Sequence, residues 1–229
     1  MPKIPYLRDK AMQMFPELIE TPVSPVRTVQ IEKTENGKLR ILEDRAYFLR
    51  EMSSEDELIL DFGDHQTGYL TLELATSGRH PDAPAWIELQ FAENPREFFE
   101  KVSEYKGWIS SAWIQTEQLH VDVFPTSLSL PRRYAFRYVK LWAINISQNY
   151  KLIVKDARVR AVSSADDSKL LPYVTGDARA ARLDRLAVRT LHECMQKVFE
   201  DGPKRDRRLW LGDLRMEALA NYESYRQND

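Results

Sequence analysis

The hydrophobic repeat of this chain changes period once, and that change limits what the chain can build. From Val26 to about Val162 apolar residues alternate with polar ones, as strands half-buried on a sheet require. Leu70, Leu72 and Leu74 point to one side while Thr71 and Glu73 point to the other. From Asp177 to Phe199 the apolar positions fall instead at three and four: Leu183, Leu186, Ala187, Leu191, Cys194, Met195 and Val198. That is the stripe of an amphipathic helix, opened by Asp177 after Gly176 and expected to stop at Gly202-Pro203.

The strand region is cut into short runs. Val29-Gln30-Ile31 and Leu39-Arg40-Ile41-Leu42 flank Asn36-Gly37, a hairpin turn signal. Leu58 to Phe62 leads through Gly63 and a polar bend into Tyr69 to Leu74. Trp86 to Phe91, Trp113 to Gln115, Leu119 to Val123, Phe136 to Ile144 and Lys151 to Val154 continue the series. Pro95 to Tyr105 has helical composition and reads as a short helix or decorated loop. Many short strands with few helices between them argue for an all-β antiparallel sandwich. A second helix is expected near Asp213, with Leu214, Ala218, Leu219, Tyr222 and Tyr225 on one side. The expected organisation is an N-terminal arm over 1–25, a β-sandwich over 26–165, and helices over 166–229. Two amphipathic helices have little core of their own, so the helical part is expected to be incomplete.

The 229 residues are 43% hydrophobic and 30% charged, enough apolar material for a core under a polar surface. The net charge of −2 gives no electrostatic footprint for nucleic acid, and the basic cluster Lys204, Arg205, Arg207, Arg208 has acids interspersed. With one cysteine, Cys194, no intrachain disulfide exists; its place on an apolar stripe reads as a buried, inert thiol. The four histidines show no ligand spacing, so no metal or other cofactor is expected. Asp61, Asp64 and His65 at a strand end read as turn formers before they read as a calcium or sugar contact. Trp108, Trp113 and Tyr105 are candidates for a sugar platform, against the commoner role of strand aromatics in a core. No uncharged apolar stretch is long enough to span a bilayer, and the charged start has no secretory h-region. The expected location is therefore cytoplasmic, with no membrane partner.

One segment is dense in chemistry. Asp201-Gly-Pro-Lys-Arg-Asp206-Arg-Arg-Leu-Trp210-Leu-Gly-Asp213 joins the two helices and gathers three carboxylates, several cations and a tryptophan. Glycosidic bond cleavage needs one carboxylic acid that donates a proton to the leaving oxygen and a second group that activates water or attacks carbon. A Trp face stacks on the apolar side of a sugar ring, while Arg and Asp fix hydroxyls. The same residues also suit a solvated turn, with Asp213 as a helix N-cap. Crowded carboxylates raise one another's pKa and neighbouring arginines lower it, and spacing alone leaves that contest open.

The segment resembles the signature of the bacterial α-L-rhamnosidase family, where an acid, Pro, Arg, an acid, Trp and Gly-Asp recur at this spacing. Thr190 to Gln196 resembles the first helix of that family's six-hairpin (α/α) toroid. Leu60-Asp61-Phe62-Gly63 with Gly68-Tyr69, and Phe136-Arg137-Tyr138-Val139, resemble the sandwich that precedes it. The resemblance implies that Asp206 is the general acid, that Asp201 and Asp213 bind the sugar, and that Arg205 and Trp210 line its pocket. Well-known members carry Glu where this chain has Asp206. It further implies an inverting glycoside hydrolase acting on a carbohydrate substrate, whose base is a Glu from a later part of the toroid with no counterpart here. This chain is then expected to be an enzyme fragment, inactive alone. The alternative expectation is a non-catalytic carbohydrate-binding or accessory protein.

Overall fold

The computed structural model describes residues 5–44, 49–100 and 102–227; the expectations that touch the terminal residues 1–4, 228 and 229 lie outside these. Two compact units make up the chain: Thr21–Ala161, and Met1–Glu20 together with Val162–Asp229.

The first unit is built on antiparallel strands. In chain order they are β1 (Ile19–Val23, which begins in the other unit), β2 (Arg27–Lys33), β3 (Leu39–Asp44), β4 (Glu51–Met52), β5 (Glu57–Gly78) and β6 (Ala85–Ala92). After them come β7 (Thr116–Val121), β8 (Thr126–Ser129), β9 (Tyr134–Asn145) and β10 (Tyr150–Ser163). The pairing path runs β1-β10-β5-β9-β6-β7, with β2, β3, β4 and β8 attached to its sides.

Strand β5 makes this a sandwich. Its first residues pair with β2 (Arg27 opposite Asp61) and β9 (Glu57 opposite Trp142). Its later residues pair with β8 (Leu72 opposite Leu128) and β10 (Leu72 opposite Ala157). Between Asp61 and Gln66 the register slips, and Gly63 takes φ +81°, where a side chain would be strained. One strand thus serves both layers by bending at a bulge. The sequence suggested two strands with a polar bend between them; the bend is real, but the ladder runs through it.

The inner faces supply the core. Leu58, Leu60, Phe62, Leu70, Leu72 and Leu74 of β5 meet Ile87, Leu89 and Phe91 of β6, Val139 and Leu141 of β9, and Leu152, Val154 and Val159 of β10. Phe91 stacks on Tyr134 at 3.9 Å between ring centres and meets Phe136 edge-on. Burial follows the period of two along β6, where Ala85, Ile87, Leu89 and Phe91 are buried and Trp86 and Glu88 partly exposed.

On the outer face, Asp61 is wholly buried beneath two arginines. Arg27 reaches its Oδ2 through Nε (3.0 Å) and Nη2 (2.9 Å), while Arg137 donates Nε to Oδ1 at 2.8 Å. The Gly63 N–H adds a bond to Oδ1 at 2.8 Å. Burial by itself raises this carboxyl, but Arg137, Gly63 and Arg27 outweigh it and hold the pKa below the usual value. Asp61 is therefore a structural anchor of the bulge.

The hairpin expected at Asn36-Gly37 forms between β2 and β3, with Gly37 at φ +70°. One expectation needs correction. Trp113-Ile114-Gln115 is not strand; Ser111–Trp113 is a 3-10 turn capped by the Ser110 hydroxyl, and β7 starts at Thr116. The short helix or decorated loop expected over Pro95 to Tyr105 is present as 3-10 turns at Pro95–Phe99 and Val102–Glu104, the first closed by a capping box between Asn94 and Glu97. The short strands β4 and β8, with two and four residues, gave no periodic signal to read.

The second unit holds α1 (Pro5–Gln13), α2 (Ala178–Cys194) and α3 (Leu211–Glu223). Asp177 caps α2 as expected, accepting from the Arg179 and Ala180 N–H groups. The helix stops at Cys194, well short of Gly202-Pro203. Ser163 Oγ donates to the His192 and Met195 carbonyls and Gln196 Nε2 donates to the Glu193 carbonyl, satisfying groups the next turn would have used. Met195 and Phe199 then form an isolated bridge. Ala165, Leu191, Met195 and Tyr225 pack as a small core with Val188 and Phe199 against them. Cys194 is buried there and its thiol is pushed up to about 12, first by burial and then by nearby carboxylates, so it is inert as a nucleophile.

Candidate active-site loop and its carboxylates

The segment between α2 and α3 closes on itself. Asp201 N–H donates to the Arg208 carbonyl at 3.0 Å, and Arg208 N–H returns a bond to Asp201 Oδ1 at 3.3 Å. Inside this ring Arg207 N–H donates to the Gly202 carbonyl (3.2 Å) and Arg207 Nε to the Pro203 carbonyl (2.8 Å), with Arg207 at φ +53°. Asp-Gly-Pro starts the turn as its chemistry suggests. One oxygen of Asp201 is thus used to shape the loop.

Asp206 lies on this turn, about a fifth exposed, with Oδ1 2.6 Å from Arg205 Nη1. Arg205 itself is largely open to solvent. Trp210 is half exposed and is the residue just before α3. The helix opens with Leu214 N–H bonded to the Trp210 carbonyl, and no side chain caps it. Asp213 is therefore not the N-cap the sequence suggested. It is one of the first-turn residues, where its charge favours the helix dipole.

A carboxyl whose pKa is raised stands beside this segment, and the sequence left it unmarked. Glu217, one helical turn after Asp213 on α3, has an Oε2 that is shut off from solvent and finds no hydrogen-bond partner. Its pKa is pushed up to about 7, first by burial and then by the charges of Asp213, Asp201 and Glu200. The structure so brings Asp201 and Asp213 to bear on one proton-holding group, while Asp206 is engaged by Arg205. Position 217 looked like one more polar residue of a helix; only the i, i+4 spacing from Asp213 hinted at it.

The other candidates resolve simply. His65 Nε2 lies 3.1 Å from Glu93 Oε1, and no described group of His, Cys, Asp or Glu could hold a metal ion. Trp108 is 94% exposed, whereas Trp113 packs edge-on against Tyr105 at 6.1 Å. These aromatics do not form one flat platform. No helix among the described residues is long and apolar enough to cross a membrane.

The family model described as glycosyl hydrolase family 78 alpha-rhamnosidase N-terminal domain matches residues 24–161. Among solved structures, a rhamnosidase from Klebsiella oxytoca with rhamnose bound is 40% identical, with TM-score 0.92 over 99% of this chain and 45% of that one. A family 78 rhamnosidase of Bacillus sp. GL1 shares 22% identity, with TM-score 0.59 over 74% of this chain and 16% of that chain. The α-L-rhamnosidase from Dictyoglumus thermophilum shares 15%, with TM-score 0.57 over 93% and 20% respectively. The last two show likeness of fold alone, and no curated protein matches. The chain spans less than half the length of the Klebsiella enzyme. The match over the whole sandwich settles the kinship: this chain belongs to glycosyl hydrolase family 78.

Proposed function

We propose that this chain is the sandwich and first helical part of an α-L-rhamnosidase-like glycoside hydrolase, and that residues 166–229 begin its six-hairpin domain. The observation that carries this reading is the segment from Asp201, after α2, to Asp213 in the first turn of α3, which gathers Asp201, Arg205, Asp206, Trp210 and Asp213 within thirteen residues. Likeness to a structure with rhamnose bound supports the choice of sugar. Apolar exposure supports the larger helical layer. Leu183 and Leu186 on α2, and Leu211, Met216, Leu219 and Tyr222 on α3, are each more than half exposed.

In this reading Asp206 gives its proton to the leaving glycosidic oxygen, and Arg205 must move off Oδ1 for that to happen. Asp201 and Asp213 accept hydrogen bonds from sugar hydroxyls, and Trp210 stacks on the ring. Glu217, mostly neutral below about pH 7, limits the negative charge gathered around Asp201 and Asp213. A carboxylate from a later helix, across roughly 6.5–9.5 Å, activates water on the opposite ring face. The reaction inverts the anomeric centre. Proton NMR of the first sugar released from an α-L-rhamnoside tests this: the β anomer is expected, and initial release of the α anomer contradicts the inverting mechanism.

A further inference from the structure

A cleft lined by both polar and apolar side chains lies on the sandwich, on the outer face of the layer that contains β6. Its floor follows from register. Glu57, Trp142, Glu88 and Gln118 stand opposite one another across β5, β9, β6 and β7, forming one row on one face. Ile59, Lys140, Gln90 and Thr116 form the next row. The 3-10 turns after β6 wall the cleft with Phe98, Glu100, Val102 and Ser103, enclosing about 620 Å³. That is within the range of small-molecule sites.

The polar groups are held in place before any ligand arrives. Gln118 Nε2 donates to Glu88 Oε2 at 2.8 Å, and Lys140 Nζ donates to Glu57 Oε1 at 3.3 Å while lying 5.5 Å from the Phe98 ring centre. Gln90 Nε2 donates to the Glu97 carbonyl at 3.0 Å, tying the wall to the floor. Such pairing removes much of the ordering cost that a ligand would otherwise meet.

We propose that this cleft binds a neutral saccharide of one or two rings, at a site separate from the loop carboxylates. Directly opposite residues in a sheet are about 5 Å apart, a spacing at which neighbouring polar side chains reach neighbouring hydroxyls of one ring. Trp142, partly exposed between Glu57 and Glu88, supplies an indole that can pack on the C–H side of that ring. Among the described lining residues three glutamates face one lysine, which disfavours an anionic ligand, and Gln90, Thr116 and Gln118 add neutral hydrogen-bonding groups to the floor. The ligand class is read from the cleft's own residues, so its failure leaves the loop reading standing, and the reverse.

The test is a titration of the 229-residue chain with methyl α-L-rhamnoside, methyl β-D-glucoside and methyl β-D-xyloside. Indole N–H signals are followed by NMR, and Trp142 is assigned through Trp142→Phe. At least one glycoside is expected to shift the Trp142 signal saturably. Removing both partners of the cross-strand bond, Glu88→Ala with Gln118→Ala, is expected to weaken binding about tenfold, as loss of one or two net hydrogen bonds implies. Circular dichroism checks that this double variant keeps its fold. Trp210→Ala is expected to leave the titration unchanged. A Trp142 signal unmoved by all three glycosides overturns the proposal. So does a folded double variant that binds as before, or a response that Trp210→Ala abolishes.

Discussion

Glu217 stands one helical turn beyond Asp213, and its buried carboxyl holds its proton up to about pH 7 while the neighbouring acids crowd it. A raised folded-state pKa means that the folded protein binds more protons than the unfolded one between about 4.5 and 7. The contribution of this group is fully present below the lower value and is lost as pH rises through the upper one. Glu217→Gln keeps the neutral form at every pH. It should raise stability at pH 8 by on the order of 1 kcal/mol, discounted for the part of the side chain that solvent reaches, and do nothing at pH 4. Thermal unfolding of both proteins at the two pH values checks this; equal shifts at both would refute it.

Asp61 behaves in the opposite sense. Its pKa is lowered in the folded state, so its contribution is present above pH 3.8 and fades as pH falls through the folded value. Asp61→Ala leaves Arg27 and Arg137 facing each other over a buried hole. The expected cost is about 3 kcal/mol in urea unfolding at pH 7. A loss under about 1 kcal/mol would mean that the two arginines are solvated well enough to do without it.

Gly68 is required for a reason that no periodicity reveals. A Cβ there would lie 2.4 Å from the Arg160 carbonyl oxygen and 2.8 Å from Ala161 Cα, both backbone atoms of β10. Gly68→Ala must push β5 and β10 apart where they pair, and should destabilise by about 2–4 kcal/mol. Unchanged unfolding in denaturant would contradict so close an approach.

The sandwich was legible because its signals are local. The alternation in Leu70, Leu72 and Leu74 and the Asn36-Gly37 turn each stand within a few residues. The hidden parts depend on neighbours far along the chain. β4 pairs Met52 with Leu152, and two residues cannot show a period. The end of α2 is fixed by Ser163, some thirty residues upstream. The loop residues were visible as composition, but the carboxyl whose proton is disturbed was not. Its burial and the approach of Glu200 and Asp201 exist only once the chain is folded. The cross-strand row of Glu57, Trp142, Glu88 and Gln118 is likewise scattered over four strands.

The most direct test of the account is turnover of 4-nitrophenyl α-L-rhamnoside by the polypeptide that carries this chain in its source, compared with its Asp206→Asn variant. The account predicts that the unaltered polypeptide releases rhamnose, and that Asp206→Asn lowers kcat by about 10³-fold while still binding rhamnose. A variant that turns over at nearly the original rate, or an unaltered polypeptide that releases no rhamnose at all, would contradict it.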